Sequence, residues 1–226
     1  MTFSNQKLSD IAISVPGAIK LFREYDLDYC CGGSVELASA AQAKNLDINE
    51  INTCLTELQN TPSEIDEPNW TETPFNELIT YIITRFHDGH REQLPELLEL
   101  AKKVEEVHAD REDCPIGVAA ELENIFADLS QHLMKEEQIL FPMINAGNYM
   151  MATMPIRVME MEHDEMGDQL EVLKSLTNNV TAPADACTSW RTLYSGIAHF
   201  IDELMLHTHT ENNILFPRVR KAAGVE

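Results

Sequence analysis

Apolar residues recur along this chain at the spacing of helices, and strand-like alternation is absent. Near the amino terminus, SVPGAIKLFREY carries Ile19, Leu21 and Phe22 behind Pro16. This predicts a short helix that runs into DLDYCCGG and ends at Gly32 and Gly33. Leu37, Ala38, Ala40, Ala41 and Ala43 mark a second segment, and a third opens with Asp47 and Glu50 at capping-box spacing and continues through Ile51, Leu55 and Leu58. Residues 59–74, QNTPSEIDEPNWTETP, hold three prolines and no apolar period, and read as a linker. Thr73 and Pro74 then supply a cap and a first helical position. Four long helical segments follow, roughly 75–107, 116–145, 155–178 and 188–219, with Pro115 and Pro155 near the starts of the second and third. The expected fold is all-α: a small N-terminal helical domain over 1–58, a linker over 59–74, and a four-helix bundle over 75–226.

Composition narrows the function. Lys and Arg number 16 against 38 Asp and Glu, a formal charge of -22. Such a surface repels phosphate backbones, so nucleic acid is not an expected partner. No apolar run approaches the length of a membrane span, and MTFSNQKLSD lacks the basic start and apolar stretch of a secretory signal. The expected compartment is the cytoplasm, with no membrane partner. The five cysteines are too few and too irregular for a disulfide framework and fit a reducing compartment. Only the adjacent Cys30 and Cys31 stand out.

The long segments repeat. The first carries His87-Asp88 and, after four intervening residues, Gln93-Leu94; the third carries His163-Asp164 and, after four intervening residues, Gln169-Leu170. The second carries His132, Glu136 and then Ile139-Leu140-Phe141-Pro142; the fourth carries His207, Glu211 and then Ile214-Leu215-Phe216-Pro217. His132 follows His87 by 45 residues and His207 follows His163 by 44. One helical hairpin, used twice, explains this.

Residues four apart share a helix face, so each His-x-x-x-Glu can present two ligands to one centre. A lone copy is usually a surface ion pair; two copies in the same context, each with a matching His-Asp one helix earlier, are hard to obtain by chance. Together His87, His132, Glu136, His163, His207 and Glu211 offer four imidazoles and two carboxylates. That donor set suits six-coordinate iron or manganese better than tetrahedral zinc. The repeat would give each metal two histidines and let both glutamates bridge, with water, hydroxide or oxide in the remaining bridge.

The repeat also sorts the other candidates. Glu137 corresponds to Asn212, His90 to Met166, His209 to Met134 and His199 to Asn124, so none keeps a metal-binding counterpart. These four are expected on helix faces or in supporting roles, and His108 at a helix end, solvated or facing the dipole. Asp88 and Asp164 do repeat; they either orient ligand imidazoles or are ordinary polar helix positions. Phe141-Pro142 and Phe216-Pro217 read as packing and helix bending.

These residues resemble the hemerythrin-like, cation-binding helical bundle family, whose His-x-x-x-Glu helices carry a non-haem di-iron site. The resemblance covers roughly residues 75–220. Oxygen carriers of that family place a further histidine one turn after the third-helix ligand, where this chain has Gly167, and an aspartate at i+5 in the last helix, where it has Glu211 at i+4. Losing the fifth imidazole implies a more open and more labile iron position. The front segment LFREYDLDYCCGG, joined to such a bundle, resembles the Repair of Iron Centres family of iron–sulfur cluster repair di-iron proteins. That resemblance implies two non-haem iron ions per chain in an oxo- or hydroxo-bridged centre. It also implies restoration of clusters damaged by nitrosative or oxidative stress, through iron donation or nitric oxide chemistry, a nitric oxide reductase type of activity included. Implied partners are damaged iron–sulfur proteins or cluster-assembly proteins as iron acceptors, nitric oxide or oxygen as small ligands, and a second copy in a homodimer. Cys30 and Cys31 could be a redox or iron-transfer pair or only a tight packed turn. The competing readings are an oxygen- or nitric-oxide-binding carrier or sensor and a di-iron oxidase.

Overall fold

The computed structural model describes residues 2–61 and 69–225, so positions 62–68 of the expected linker lie outside the described residues. The fold is all-α: the one extended pairing among the described residues is a single bridge between Lys7 and Glu36. Four short helices come first: α1 (Leu8–Ser14), α2 (Ala18–Glu24), α3 (Leu37–Ala43) and α4 (Ile48–Asn60). The long helices are assembled from pieces. The first is α5 (Phe75–Ile82), a π-turn over Ile83–His87 and α6 (Asp88–Val107). The second is α7 (Val118–Lys135), a π-turn over Glu136–Leu140 and α8 (Phe141–Asn145). The third is α9 (Tyr149–Leu176), and the fourth is α10 (Thr188–Thr210), a π-turn over Glu211–Leu215 and α11 (Phe216–Ala223).

Local chemistry sets the boundaries, in places against expectation. Helix α2 stops at Glu24, well before Gly32. Asp26 adopts a left-handed φ of 52°, and the Leu27 N–H closes back on Phe22 O at 2.8 Å, so a short polar residue ends this helix where a glycine was expected. Asp47 caps α4 by accepting from the Asn49 N–H at 2.8 Å. Pro74 is the cap of α5, while the Thr73 hydroxyl turns back to Asn69 O. Pro155 lies inside α9, which begins a turn and a half earlier than its proline suggests. The Glu105 carboxylate accepts from the N–H groups of Gly117 and Ala119, at 3.1 and 2.8 Å, and so tethers the start of α7 to the first long helix.

The chain divides into two compact units: Met1–Thr73 with Thr208–Pro217, and Pro74–His207 with Arg218–Glu226. In the first, Phe3, Leu8, Ile11, Phe22, Leu27, Tyr29, Leu37, Ile51 and Leu55 are at most 2% exposed. In the second, an aliphatic and aromatic core runs through Leu94, Leu122, Ile125, Leu129, Leu173, Trp190, Ile197, Phe200 and Leu204. Each such side chain contributes about 1.5–3 kcal/mol on burial. In every long helix these residues fall on the same side of the histidine singled out by the repeat, so that histidine layer is anchored by dry packing. No helix of the described residues is long and apolar enough to cross a membrane.

Candidate metal centre

The six repeat residues are carried by all four long helices. His87 closes the first π-turn, His132 lies in the last turn of α7, and Glu136 opens the second π-turn. His163 lies within α9, His207 within α10, and Glu211 opens the third π-turn. In the second and third π-turns the N–H of Phe141 or Phe216 reaches back five residues, to Glu136 O or Glu211 O. A proline without an N–H follows at once, Pro142 or Pro217. The Phe-Pro pair therefore sits where the helical ladder changes register, next to the glutamate that opens it. Such π-turns are frequent at functional sites because they re-aim one side chain without ending the helix.

None of the six is more than 1% exposed. Their ligand atoms form two groups, within each of which all atoms lie within 4.8 Å of one another. One is His87, Glu136, His207 and Glu211; the other is His132, Glu136, His163 and Glu211. Both glutamates belong to both groups. The Nε2 atoms of His132 and His163 stand 3.1 Å apart, and Glu136 Oε2 is 3.4 Å from His87 Nε2 and 3.5 Å from His132 Nε2. Taking two carboxylates out of water costs several kcal/mol each, and a cation at their centre offsets that cost. Each group could hold a metal ion, and imidazole with carboxylate is a donor set that iron accepts.

Two further carboxylates set the tautomers. Glu137 Oε1 lies 2.8 Å from His87 Nδ1, and Glu162 Oε2 lies 2.9 Å from His132 Nδ1. An imidazole donating its Nδ1–H outward presents the Nε2 lone pair inward, and the carboxylate raises its basicity. Glu162 also pairs with Lys135, and its carboxyl is held down to about 2 by His132, against burial and with help from Lys135. Burial pushes the Glu137 carboxyl up, but His87 and Arg91 outweigh it and hold it below its ordinary value. The repeated Asp88 and Asp164 do neither job. Asp88 is 57% exposed beside Arg91, and Asp164 is exposed. Glu162 escaped the sequence reading because it precedes His163 yet serves His132 on a neighbouring helix. Glu137, whose repeat counterpart is Asn212, takes one of the supporting roles its broken repeat allows. His90 is buried, with its ring 5.4 Å from that of His207, whereas His199 is exposed. His108 lies at the end of α6, its Nε2 3.2 Å from Cys187 Sγ. A β-carbon added at Gly167 would meet nothing within 4 Å.

Within the first unit, the Cys-Cys-Gly-Gly loop wraps Asp28. Its Oδ1 accepts from the N–H groups of Cys30 and Cys31, both at 3.0 Å, and its Oδ2 from Gly32 at 2.8 Å. Cys30 is buried and Cys31 half-buried, both as thiols. The hydrogen bond with Cys31, then burial and the Asp28 charge, push the Cys30 thiol well above its ordinary pKa. The loop backbone meets segment 208–217. His209 Nδ1 is 3.2 Å from Tyr29 O, and the Asn213 amide donates to Tyr29 O at 3.2 Å and Cys30 O at 3.0 Å. Burial pulls His209 down to about 4, against the bond to Tyr29 O, so the ring is neutral at pH 7. Gly33 is required by this close approach: a β-carbon there would stand 2.7 Å from Tyr29 O and 2.9 Å from Asn213 Oδ1.

Comparison with known proteins agrees with this architecture. The Hemerythrin HHE cation binding domain family matches residues 78–219, and a family described as a Domain of Unknown function (DUF542) matches residues 4–59. The chain is 67% identical over 219 residues to a probable iron-sulfur cluster repair protein of Haemophilus influenzae, covering 97% of this chain and 98% of the relative. It is 55% identical over 218 residues to the iron-sulfur cluster repair protein YtfE of Musicola paradisiaca, covering 96% of this chain and 97% of the relative. The corresponding YtfE of Yersinia pseudotuberculosis strain YPIII is 53% identical, with 96% of this chain and 98% of the relative covered. With four long helices bringing buried histidines and glutamates together behind a short helical domain, and with such likeness over almost its full length, the chain belongs to the hemerythrin HHE cation-binding family and, within it, to the iron–sulfur cluster repair proteins.

Proposed function

We propose that this chain is a di-iron protein that restores iron–sulfur clusters damaged by nitrosative or oxidative stress. Its ligands are His87, His132, Glu136, His163, His207 and Glu211. The observation that carries the reading is the pair of four-ligand groups sharing Glu136 and Glu211, which is the donor pattern of two carboxylate-bridged metals. When bound, two iron ions supply a redox-active centre that accepts small ligands such as nitric oxide or oxygen, with an oxide or hydroxide bridge completing it. The protein's own residues do the rest. Glu137 and Glu162 hold the His87 and His132 rings with Nε2 inward, and the surrounding apolar core keeps bulk water out. An acid-lined cleft of ≈ 210 Å³, bordered by Asp128, Glu162 and Glu165, reaches His132 and supports exchange of a cation with the outside. Iron donation, nitric oxide chemistry, or both would act at this centre. Iron acceptors would be damaged iron–sulfur proteins or cluster-assembly proteins. Cys30 and Cys31 would serve in redox or iron transfer, with Cys31 the more accessible thiol. We place the protein in the cytoplasm, as a monomer or a homodimer. The test is to mix protein loaded with isotopically labelled iron with a nitric-oxide-damaged cluster protein. Recovery of cluster activity with the label in the acceptor is expected. Label remaining wholly with this chain while the cluster stays broken would overturn the donor reading.

A further inference from the structure

The geometry points to His209 and Asn213 as positioning residues that couple the Cys30–Cys31 loop to Glu211, so that opening the loop loosens the hold on metal. The inference rests on the reading of Glu211 as a ligand. His209 lies two residues before Glu211, and Asn213 two residues after it, inside the π-turn that Glu211 opens. Both engage the same short stretch of loop backbone: His209 Nδ1 donates to Tyr29 O, and the Asn213 amide nitrogen, itself 3.0 Å from His209 Nδ1, donates to Tyr29 O and Cys30 O. The Tyr29 ring adds an edge contact to the His209 ring at 5.3 Å. His209, Tyr29, Cys30 and Glu211 are all buried. Displacing the loop would strand these carbonyls and donors away from water, which is costly for each group left unpaired. The loop and the turn therefore move together or not at all.

The repeat supplies an internal control. The counterparts of His209 and Asn213 in the first hairpin are Met134 and Gln138, and both are exposed, Met134 at 47%. Glu136 opens the same π-turn there while these two positions stay exposed, so the clamp is not needed to form the turn. It is an added link beside Glu211. It also gives the Cys-Cys-Gly-Gly motif a role that requires no thiol chemistry, since Gly33 is what lets Asn213 reach the carbonyls.

Coupling between two sites is reciprocal and typically 5- to 150-fold. In the full-length protein, loading with ferrous iron is expected to slow alkylation of Cys30, read by mass spectrometry, by about tenfold. Asn213→Leu is expected to bind the same amount of iron at saturation. It should release that iron to a coloured ferrous chelator about tenfold faster and abolish the iron dependence of Cys30 alkylation. His209→Leu should behave likewise, whereas His209→Asn, which keeps a donor near the Nδ1 position, should restore wild-type rates. Should a leucine variant misfold, the iron dependence of Cys30 labelling in the wild-type chain still decides. Equal labelling with and without iron overturns the coupling, and so does protection that survives in Asn213→Leu, which would mean iron touches the thiol directly. Glu211→Ala separates the two claims. If that variant keeps its iron, the ligand reading fails and the coupling with it. If it loses iron while Asn213→Leu changes neither rate, the coupling alone fails.

Discussion

The two hairpins of the bundle carry the same candidate ligands, 45 residues apart from histidine to histidine in one and 44 in the other, yet their surroundings differ. In the first, His87 and His132 are each backed by a carboxylate, Glu137 and Glu162. Against His207 of the second, the position that corresponds to Glu162 by the repeat is Phe86 of the first long helix, whose ring stacks 5.2 Å from the imidazole. On the outer face the contrast reverses: Met134 and Gln138 are exposed, while His209 and Asn213 meet the cysteine loop. The repeat thus holds at the candidate ligand positions and not in what stands behind them. The first hairpin tunes its imidazoles by charge, and the second ties its glutamate to another segment of chain. Each four-ligand group takes one histidine from the carboxylate-backed pair, His87 or His132, and one from His163 or His207.

The largest expected effect treats the hairpins as equals. His132→Ala and His207→Ala should each cut bound iron from about two atoms per chain to one or fewer, because each removes a ligand from a binuclear site. His199→Ala, on an exposed face, should leave metal content unchanged. Elemental analysis of purified protein checks this, and retention of full iron in either ligand variant would break the equivalence.

A smaller effect should separate the hairpins. Glu162→Gln keeps an acceptor for His132 but removes the charge, and is expected to weaken iron binding by about ten- to a hundredfold. Asp88→Asn and Asp164→Asn should not, since both side chains face solvent. Competition with a ferrous chelator reads all three, and equal weakening by Asp164→Asn would contradict the assignment of Glu162.

How far these parts could be read from the sequence follows from the kind of signal each leaves. The six buried residues that converge are the six the repeat singles out, because ligands on helices must recur at helical spacing. Glu137 and Glu162 break the repeat, so the filter that isolates the candidate ligands leaves Glu137 only a possible support and passes over Glu162. The clamp joins residues 180 or more apart in sequence, Tyr29 to His209 and Cys30 to Asn213, and leaves no local pattern. Helix ends were least legible. Asp26 stops α2 through a positive φ that a non-glycine residue rarely adopts, and Pro155 is tolerated inside α9.

The smallest expected effect concerns Gly167, where the oxygen carriers that the bundle resembles have a fifth imidazole. A β-carbon at Gly167 meets nothing within 4 Å, so Gly167→His should fold with stability within about 1 kcal/mol of wild type in thermal melts. If its imidazole reaches the iron, nitric oxide binding to the reduced centre, followed by absorbance, should fall. Unchanged binding with the histidine demonstrably coordinated would remove Gly167 from the account of the open position.

The central claim is that one chain holds two irons sharing Glu136 and Glu211. Anomalous diffraction at the iron absorption edge from crystals of iron-loaded protein tests it most directly. The account predicts two peaks, one among His87, His207 and the two glutamates and one among His132, His163 and the same glutamates. A single peak, or iron bound at Cys30 and Cys31 with the bundle empty, would contradict it.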